Sequence, residues 1–341
     1  MGSINVVTKG FKMQTIGINK TNVSVSQIGL GCGNWGREVD EKTAFYLMDY
    51  AIDNGITFFD TSELYGGLES YQTRKKLYNT DDVRETTLES FSSEKIIGRW
   101  LKSRGKKIRD KVTLCTKVGT GGSKENINRA LSDSLKRLQV DNVDIFKLHL
   151  PDATTEILET LLAFNVEIQK GTTNAIGCAN HNKEQLLKSI EISEKNKIPG
   201  FQVIQTPFSL VQSESKELFP ICEQKKLSIT AHSPLGAGFL TGKYSPDKSK
   251  LPQGSRYHIM PGHADLYFSD KNFEILKKLN KKSEDLQIPP IQLAISWAIN
   301  HSEISSVLIG ARTTEHIDNS IKATQINLGV SDKSEMDSWI I

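Results

Sequence analysis

Four residues of this 341-residue chain have the types and spacing to move a proton: Asp60, Tyr65, Lys117 and His149. Asp60 ends the apolar run Phe58-Phe59-Asp60, Lys117 ends Thr113-Leu114-Cys115-Thr116-Lys117, and His149 ends Asp144-Ile145-Phe146-Lys147-Leu148-His149. Tyr65 follows Asp60 by one short loop. A tyrosine of pKa ~10 is a poor acid at neutral pH until a nearby cation stabilises its phenolate. Lys117 supplies such a charge, Asp60 would hold the ammonium in place, and His149 as a neutral imidazole would hydrogen-bond a substrate oxygen. The set suits protonation of a carbonyl oxygen as hydride arrives at its carbon. Taken singly, each residue has a plain structural reading: a helix cap or ion pair for Asp60, its partner for Lys117, a core histidine for His149, loop packing for Tyr65. Only together do they form a proton-donor assembly.

What must bring them together is the rhythm of the chain. Short apolar or β-branched runs recur at Ile28–Leu30, Ile56–Phe59, Val112–Cys115, Val143–Leu148, Thr173–Cys178, Gln202–Gln205, Leu227–Ala231 and Ser305–Ile309. Between most of them lie stretches with helical spacing, such as Ile127, Ala130, Leu131, Leu135 and Leu138, whose separations of three and four put them on one face. Other helices are expected over Lys42–Asp53, Glu94–Leu101, Thr154–Lys170, Lys183–Ser193, Ser215–Glu223, Phe273–Leu286, Ile291–Asn300 and Thr314–Ala323. Strand then helix, eight times over without a Pro/Ser-rich linker, predicts an α/β fold: a closed (β/α)8 TIM barrel. Residues 1–341 then form one domain with a core over about 13–323, not the two that length alone suggests. Met13–Ile18 and Val23–Ser26 predict a β-hairpin ahead of it. Two connections exceed the usual ~2–6 residues of a βα loop: the insertion 67–92 after the second strand and the loop 244–271 after the seventh. Both overhang the C-terminal face, where barrel enzymes keep their sites.

Composition narrows the partners. A formal charge of +3, with 43 Lys+Arg against 40 Asp+Glu, is too small for an extended nucleic-acid footprint, and the basic run Lys106-Lys107-Ile108-Arg109 reads as a solvated connection. No stretch reaches the ~18 consecutive apolar residues of a membrane span, and the N-terminus lacks the apolar core of a secretory signal, so a cytoplasmic protein is expected. Met1-Gly2 fails as a myristoylation start because the sixth residue is Val6. Asn22-Val23-Ser24 and Asn300-His301-Ser302 are then chance matches to the glycosylation pattern. Cys32, Cys115, Cys178 and Cys222 are widely spaced without Cys-x-x-Cys, which argues against zinc and for reduced, mostly buried thiols.

Gly31-Cys32-Gly33-Asn34-Trp35-Gly36 fits the G-x-G-x-x-G dinucleotide fingerprint and follows an apolar run. That fingerprint needs its glycines to open a helix, whereas the helical pattern starts near Asp40–Lys42. The better reading is a loop that brings the backbone of Gly33 and Asn34, and the large ring of Trp35, against a flat ligand, with Trp35 as a wall of the substrate pocket or, as the alternative, packed in the core.

Phe59-Asp60-Thr61, Leu64-Tyr65-Gly66, Thr116-Lys117-Val118 and Leu148-His149, in this order, resemble the aldo-keto reductase superfamily over about residues 13–323. The resemblance implies a (β/α)8 barrel, NADPH-dependent carbonyl reduction, and a tetrad formed by Asp60, Tyr65, Lys117 and His149, with Tyr65 and His149 at the substrate. It implies further that Asn180, in Gly177-Cys178-Ala179-Asn180, and Gln205 bind the nicotinamide carboxamide, although Ala179 stands where a serine is usual. Ser233-Pro234-Leu235-Gly236 with Gly238, Leu240, Gly242 and Lys243 resembles the pyrophosphate segment, where glycine lets backbone N–H groups approach phosphate. The aromatic that usually stacks on nicotinamide is here His232. A charged imidazole there would repel an oxidised nicotinamide. Gly310, Arg312, His316 and Asn319 or Ser320 resemble the segment gripping the adenosine end. There a guanidinium at Arg312 would match a 2′-phosphate by paired hydrogen bonds, favouring NADPH/NADP+ over NADH.

The leading expectation is therefore reduction of an aldehyde or ketone, with a small-molecule carbonyl substrate, no metal, no nucleic acid and no membrane. A nucleotide-binding regulatory subunit with little turnover, like the potassium-channel β-subunits of the same family, is the alternative. An unrelated barrel enzyme acting on sugar phosphates is a third. Tyr71, Arg74, Lys75, Lys76, Asp81, Asp82 and Arg84 make the insertion polar and charged, which suits a lid over a sugar or sugar nucleotide, or else a solvated loop.

Overall fold

The β-branched runs close into a barrel in the computed structural model, which describes residues 12–68, 71–72, 86–259 and 261–340. Its strands are β3 (Ile28–Gly31), β4 (Phe58–Asp60), β5 (Thr113–Val118), β6 (Val143–Leu148), β7 (Thr173–Ala179), β8 (Val203–Pro207), β9 (Ser228–His232) and β10 (Ile304–Ile309), preceded by β1 (Thr15–Gly17) and β2 (Ser24–Ser26). The barrel order is β10-β3-β4-β5-β6-β7-β8-β9, every pairing parallel. The short pair β1 and β2 is antiparallel, with Thr15 opposite Ser26. A (β/α)8 barrel with an N-terminal hairpin is thus what the sequence rhythm encodes.

Local chemistry sets the helix starts. Asp40 accepts from the Thr43 N–H at 2.8 Å and begins the helix Glu41–Asp53. Ser123 caps Lys124–Leu138, whose Ile127, Ala130, Leu131 and Leu138 are buried against the barrel. Asn182 and Gln185 form a reciprocal capping box for Lys183–Asn196. Ring pairs such as Phe146–Phe164 (centroids 5.2 Å apart) and Phe59–Trp100 (5.5 Å) join strands to the helices outside them.

Alternation along the strands builds the interior in layers. Phe58, Cys115, Ile145, Ala175, Val203 and Leu308 pack with Ile18, Val23 and Val25, so the hairpin plugs the N-terminal end. Two residues further along the same strands come Asp60, Lys117, Lys147, Gly177 and Gln205, a polar layer. His149, Ala179 and His232 follow at the rim.

Four segments differ from the sequence expectation. The connection 244–271 is partly helical, with turns at Arg256–Ile259 and Pro261–Tyr267, because Tyr244, Tyr257 and Phe268 pack together and the Tyr257 hydroxyl donates to Gly236 O at 2.5 Å. The helix expected over Ser215–Glu223 is split into a 3-10 turn (Glu214–Leu218) and a helix (Phe219–Lys225), since Pro220 has no N–H to continue a ladder. Lys106–Arg109 is a short helix, and Arg109 donates to Val112 O (2.9 Å) and Asp144 Oδ2 (3.2 Å). The helix Val330–Ser338 had no periodic signal and is anchored by buried Met336 and by Trp297 Nε1 donating to Asp337 at 2.9 Å. Among the described residues no helix is long and apolar enough to cross a membrane. Arg74, Lys75, Lys76, Asp81, Asp82 and Arg84 of the expected lid lie outside the described residues.

Candidate active site

Asp60, Lys117 and His149 project from neighbouring strands β4, β5 and the end of β6 into one mouth, and Tyr65 folds back over them. Lys117, 1% exposed, donates to the Asp60 carboxylate and to Thr61 O at 2.8 Å. Burial alone would drive the Lys117 proton off, but the Asp60 charge outweighs it and holds the ammonium. Burial likewise opposes ionisation of Asp60, yet the Lys117 and Lys147 charges bring its pKa down to about 2. The pair is therefore ionised at neutral pH.

Lys117 Nζ lies 5.2 Å from the centre of the Tyr65 ring, and the Tyr65 and His149 rings meet edge to face at 5.5 Å and 89°. The loop that carries Tyr65 turns at Gly66, where φ is +87° and a Cβ would stand 1.8 Å from Ser92 Oγ, so only glycine fits. Tyr65 is corrected in one respect. Burial pushes its phenol above the usual value, and the opposing pull of Lys117 does not overcome this. The phenol is loaded with its proton at neutral pH, as a donor requires. Burial, with Lys117, brings His149 down to about 3, so its ring is neutral. Ser62 Oγ lies 2.8 Å from His149 Nδ1 and was not singled out from sequence.

Neither was Lys147, which is fully buried and lies below His149 on the same face of β6. The signal was available: strand alternation makes the residue two before an inward histidine point inward as well.

From the tetrad a cavity of about 370 Å³ runs outward along the mouths of β7 to β10 and β3. Of the sequence-predicted residues, it is lined by Gly33, Asn34, Asp60, Tyr65, Lys117, His149, Asn180, Gln205, His232, Ser233, Pro234, Leu235, Gly238, Lys243, Gly310, Arg312, His316 and Ser320. Trp35, Gly236, Leu240, Gly242 and Asn319 are not on it. Trp35 is fully buried among core residues such as Cys32 and Val39 instead of forming a pocket wall, because an indole beside a tight glycine turn gains more by burying its whole surface. Leu240 is likewise core, Asn319 accepts from Gln292 Nε2 at 2.8 Å, and Gly236 O is taken by Tyr257. Glu38, Arg256, Ile291 and Ile295 line the cavity without having been expected. Arg256 reaches it only because the long loop folds back, so that its Nη1 meets Glu38 at 2.9 Å.

At the tetrad end, Ser233 Oγ lies 3.0 Å from His232 Nδ1, His232 Nε2 lies 3.1 Å from Asn180 Oδ1, and Asn180 Nδ2 donates to His149 O at 3.0 Å. Asn180 Oδ1 only accepts, so His232 carries its proton on Nε2. Burial, then the Lys117 charge, brings His232 down to about 4, which makes the ring neutral and removes the expected charge conflict. At the far end Lys243, Arg312 and His316 share the lining, and Lys243 has no carboxylate partner among the described residues. Lys243 and Arg312 suit an anion there, whereas His316, kept below its ordinary pKa by burial and accepting from the Arg312 N–H at Nδ1, adds a neutral ring. The glycine run Gly31–Gly36 opens no helix, since the next helix begins at Glu41 behind its Asp40 cap, and the fingerprint reading falls with it. Among the described residues no three potential metal ligands cluster.

The aldo/keto reductase family matches residues 27–341. The chain is 30% identical over 325 residues to the uncharacterized oxidoreductase YrpG of Bacillus subtilis (strain 168), covering 91% of each chain. It is 28% identical over 327 residues to a probable voltage-gated potassium channel subunit beta of Oryza sativa subsp. japonica, covering 92% of each. To L-glyceraldehyde 3-phosphate reductase of Escherichia coli (strain K12) it is 27% identical over 346 residues, covering 96% of this chain and 93% of that one. The barrel, the cavity at its C-terminal mouth and these likenesses agree: the chain belongs to the aldo/keto reductase family of oxidoreductases.

Proposed function

We propose that the protein reduces an aldehyde or ketone to the alcohol with NADPH, using Tyr65 as proton donor. The observation that carries this reading is the Tyr65 phenol set between Lys117 and His149 at the closed end of a cavity whose other end is cationic. NADPH, when bound, would supply a hydride to the carbonyl carbon. The electron pair of the carbonyl π bond moves to oxygen, which takes the phenol proton as the Tyr65 O–H bond breaks. Lys117 stabilises the resulting phenolate, Asp60 holds Lys117, and His149 donates to the carbonyl oxygen from the other side. Solvent then returns a proton to Tyr65.

The residues present fit such a cofactor. Asn180 and Gln205 stand next to the tetrad with amide groups, His232 offers a neutral ring face, and the turn Ser233–Gly238 offers the backbone N–H groups of Leu235 and Ala237, those of Gly236 and Gly238 being donated within the turn. Lys243 and Arg312 match a pyrophosphate and a 2′-phosphate. Buried, unpaired thiols at Cys32, Cys115, Cys178 and Cys222 agree with work in the cytoplasm. A sugar-like or phosphorylated hydroxy-carbonyl is the favoured substrate class, supported by the relative named L-glyceraldehyde 3-phosphate reductase. The relatives named potassium channel subunit beta give the second reading, an interaction subunit that holds nucleotide with little turnover. The complete tetrad favours the enzyme.

The test is NADPH oxidation by the purified protein across simple aldehydes, ketones, sugars and keto-sugar nucleotides, repeated with NADH. Faster turnover with NADPH on at least one class is expected. NADPH binding without turnover of any would favour the interaction subunit.

A further inference from the structure

Lys147 occupies a place that would be costly for a lysine without a purpose. It is fully buried on β6, and its Cα partner across the parallel ladder is Lys117 on β5. Two ammonium groups in adjacent registers of one barrel interior repel each other strongly unless an anion lies between them. Asp60 is that anion. One carboxylate oxygen takes Lys117, and the other lies 3.4 Å from Lys147 Nζ.

The remaining donors of Lys147 are fully used. Nζ donates to Gln205 Oε1 at 3.0 Å and to Thr230 Oγ1 at 3.3 Å. Thr230 spends its own proton on Ile204 O at 3.4 Å, so it can only accept from Lys147. Because an ammonium only donates, the Gln205 amide is locked with its oxygen toward Lys147 and its nitrogen toward Asp60 Oδ1, at 3.3 Å. Gly177 on the neighbouring strand is required first by Val203 O, which a Cβ there would approach to 2.3 Å, and it also leaves room for the stem, Lys147 Cγ lying 3.1 Å from that position. Lys147 does not line the cavity, whereas Asp60, Lys117 and Gln205 do.

We propose that Lys147 is a positioning residue of the reaction: beneath Asp60 it leaves the ionised cluster with a net positive charge below Tyr65 and fixes the Gln205 amide for the nicotinamide. This rests on the reductase reading above. With Asp60 and Lys117 alone the cluster would be neutral; with Lys147 it carries one excess positive charge. The other groups facing Tyr65 are His149 from the end of β6 and Arg37 from the loop after β3, with His232 from the end of β9 beside His149. Both histidines are neutral, so they add nothing to the excess, whereas the Arg37 charge acts in the same sense. The charge favours the phenolate that remains after proton transfer and that acts as base in alcohol oxidation.

Two substitutions separate charge from hydrogen bonding. Lys147→Gln keeps donors for Asp60 but removes the charge, whereas Lys147→Met removes both. The pH of half-maximal alcohol oxidation with NADP+ should rise by about one unit in both variants, from the loss of one charge at an effective dielectric of ~20. NADP+ affinity should stay within about threefold in K147Q and fall further in K147M, where the Gln205 amide is released. A K147Q profile superimposable on that of the wild type, in a protein with unchanged circular dichroism, would overturn the proposal. If neither variant folds, wild-type protein labelled with ¹⁵N at lysine Nζ provides the test. Two ammonium resonances protected from exchange are expected, for Lys117 and Lys147, and a single one would overturn it. Absence of turnover in the wild type would defeat the reductase reading instead, and the resonance count would still decide the charge arrangement.

Discussion

Ser62 Oγ stands 2.8 Å from His149 Nδ1, while accepting a hydrogen bond from the Leu64 N–H at 3.1 Å. The hydroxyl has one proton, and its other acceptor, Lys117 O, is farther away at 3.4 Å. The proton therefore goes to Nδ1, which places the ring's own proton on Nε2, the nitrogen left for a substrate oxygen. A residue behind the tetrad thus chooses the tautomer in front of it. Ser62→Ala should lower kcat/KM by about tenfold, roughly 1.4 kcal/mol of transition-state stabilisation, while NADPH affinity stays within twofold. Steady-state kinetics beside a fluorescence titration checks it; an unchanged kcat/KM would mean that the tautomer is set elsewhere.

How much of this was legible follows from what kind of relation each residue depends on. Asp60, Lys117 and His149 were readable because each closes an apolar run, and parallel barrel strands deliver their ends to one mouth. The hairpin was readable from two short runs about one turn. Ser62 depends instead on which atom meets which across strands, and no periodicity reports that; for Lys147 the strand alternation gives the inward direction but not the partners. Trp35 misled for the opposite reason, since its place in a glycine-rich loop suggested a ligand wall while its area drew it into the core. Arg256 and Glu38 meet only through the path of a loop whose composition reads as polar and irregular.

His232 holds Asn180 through Nε2 and is buried as a neutral ring. Replacement by Phe keeps a stacking surface but frees the Asn180 oxygen, so His232→Phe should weaken NADP+ binding by about fivefold, the loss of one hydrogen bond. The same variant tests linkage. A histidine whose folded pKa is about 4 against an ordinary 6.5 contributes stability that is fully present above about pH 6.5 and lost as pH falls toward 4. Between pH 6 and 4.5 the variant should therefore lose stability less steeply than the wild type, by about 1 kcal/mol per pH unit, in urea titrations at fixed pH. Parallel slopes would show that His232 is protonated equally in the folded and unfolded states.

Arg312 lies at the far end of the cavity, 3.6 Å from Glu38 and donating to Gly254 O at 3.2 Å, while its backbone N–H donates to His316 Nδ1 at 3.2 Å. Arg312→Gln should weaken NADPH about 10- to 100-fold, the roughly 1.5–3 kcal/mol of a hydrogen bond to a charged group, and leave NADH within threefold. Equal losses for both nucleotides would mean that Arg312 shapes the loop and does not read the 2′-phosphate.

Tyr65 sets the pH dependence of both directions, with opposite signs. Burial holds its phenol above the usual value, so the proton needed for reduction is present throughout the neutral range. Reduction with NADPH should accordingly run flat from about pH 6 to 9 and fall only above that, because deprotonation removes the acid. Alcohol oxidation needs the phenolate and should climb with pH over the same interval. It should do so with a lower midpoint than the fall in reduction, since the oxidised nicotinamide adds a positive charge beside the ring and favours the phenolate. Tyr65→Phe should abolish both limbs while NADPH still binds. Residual reduction in Y65F with an unchanged profile would assign the proton to another group, and His149 is the neighbour that could take over, its ring meeting that of Tyr65 at 5.5 Å.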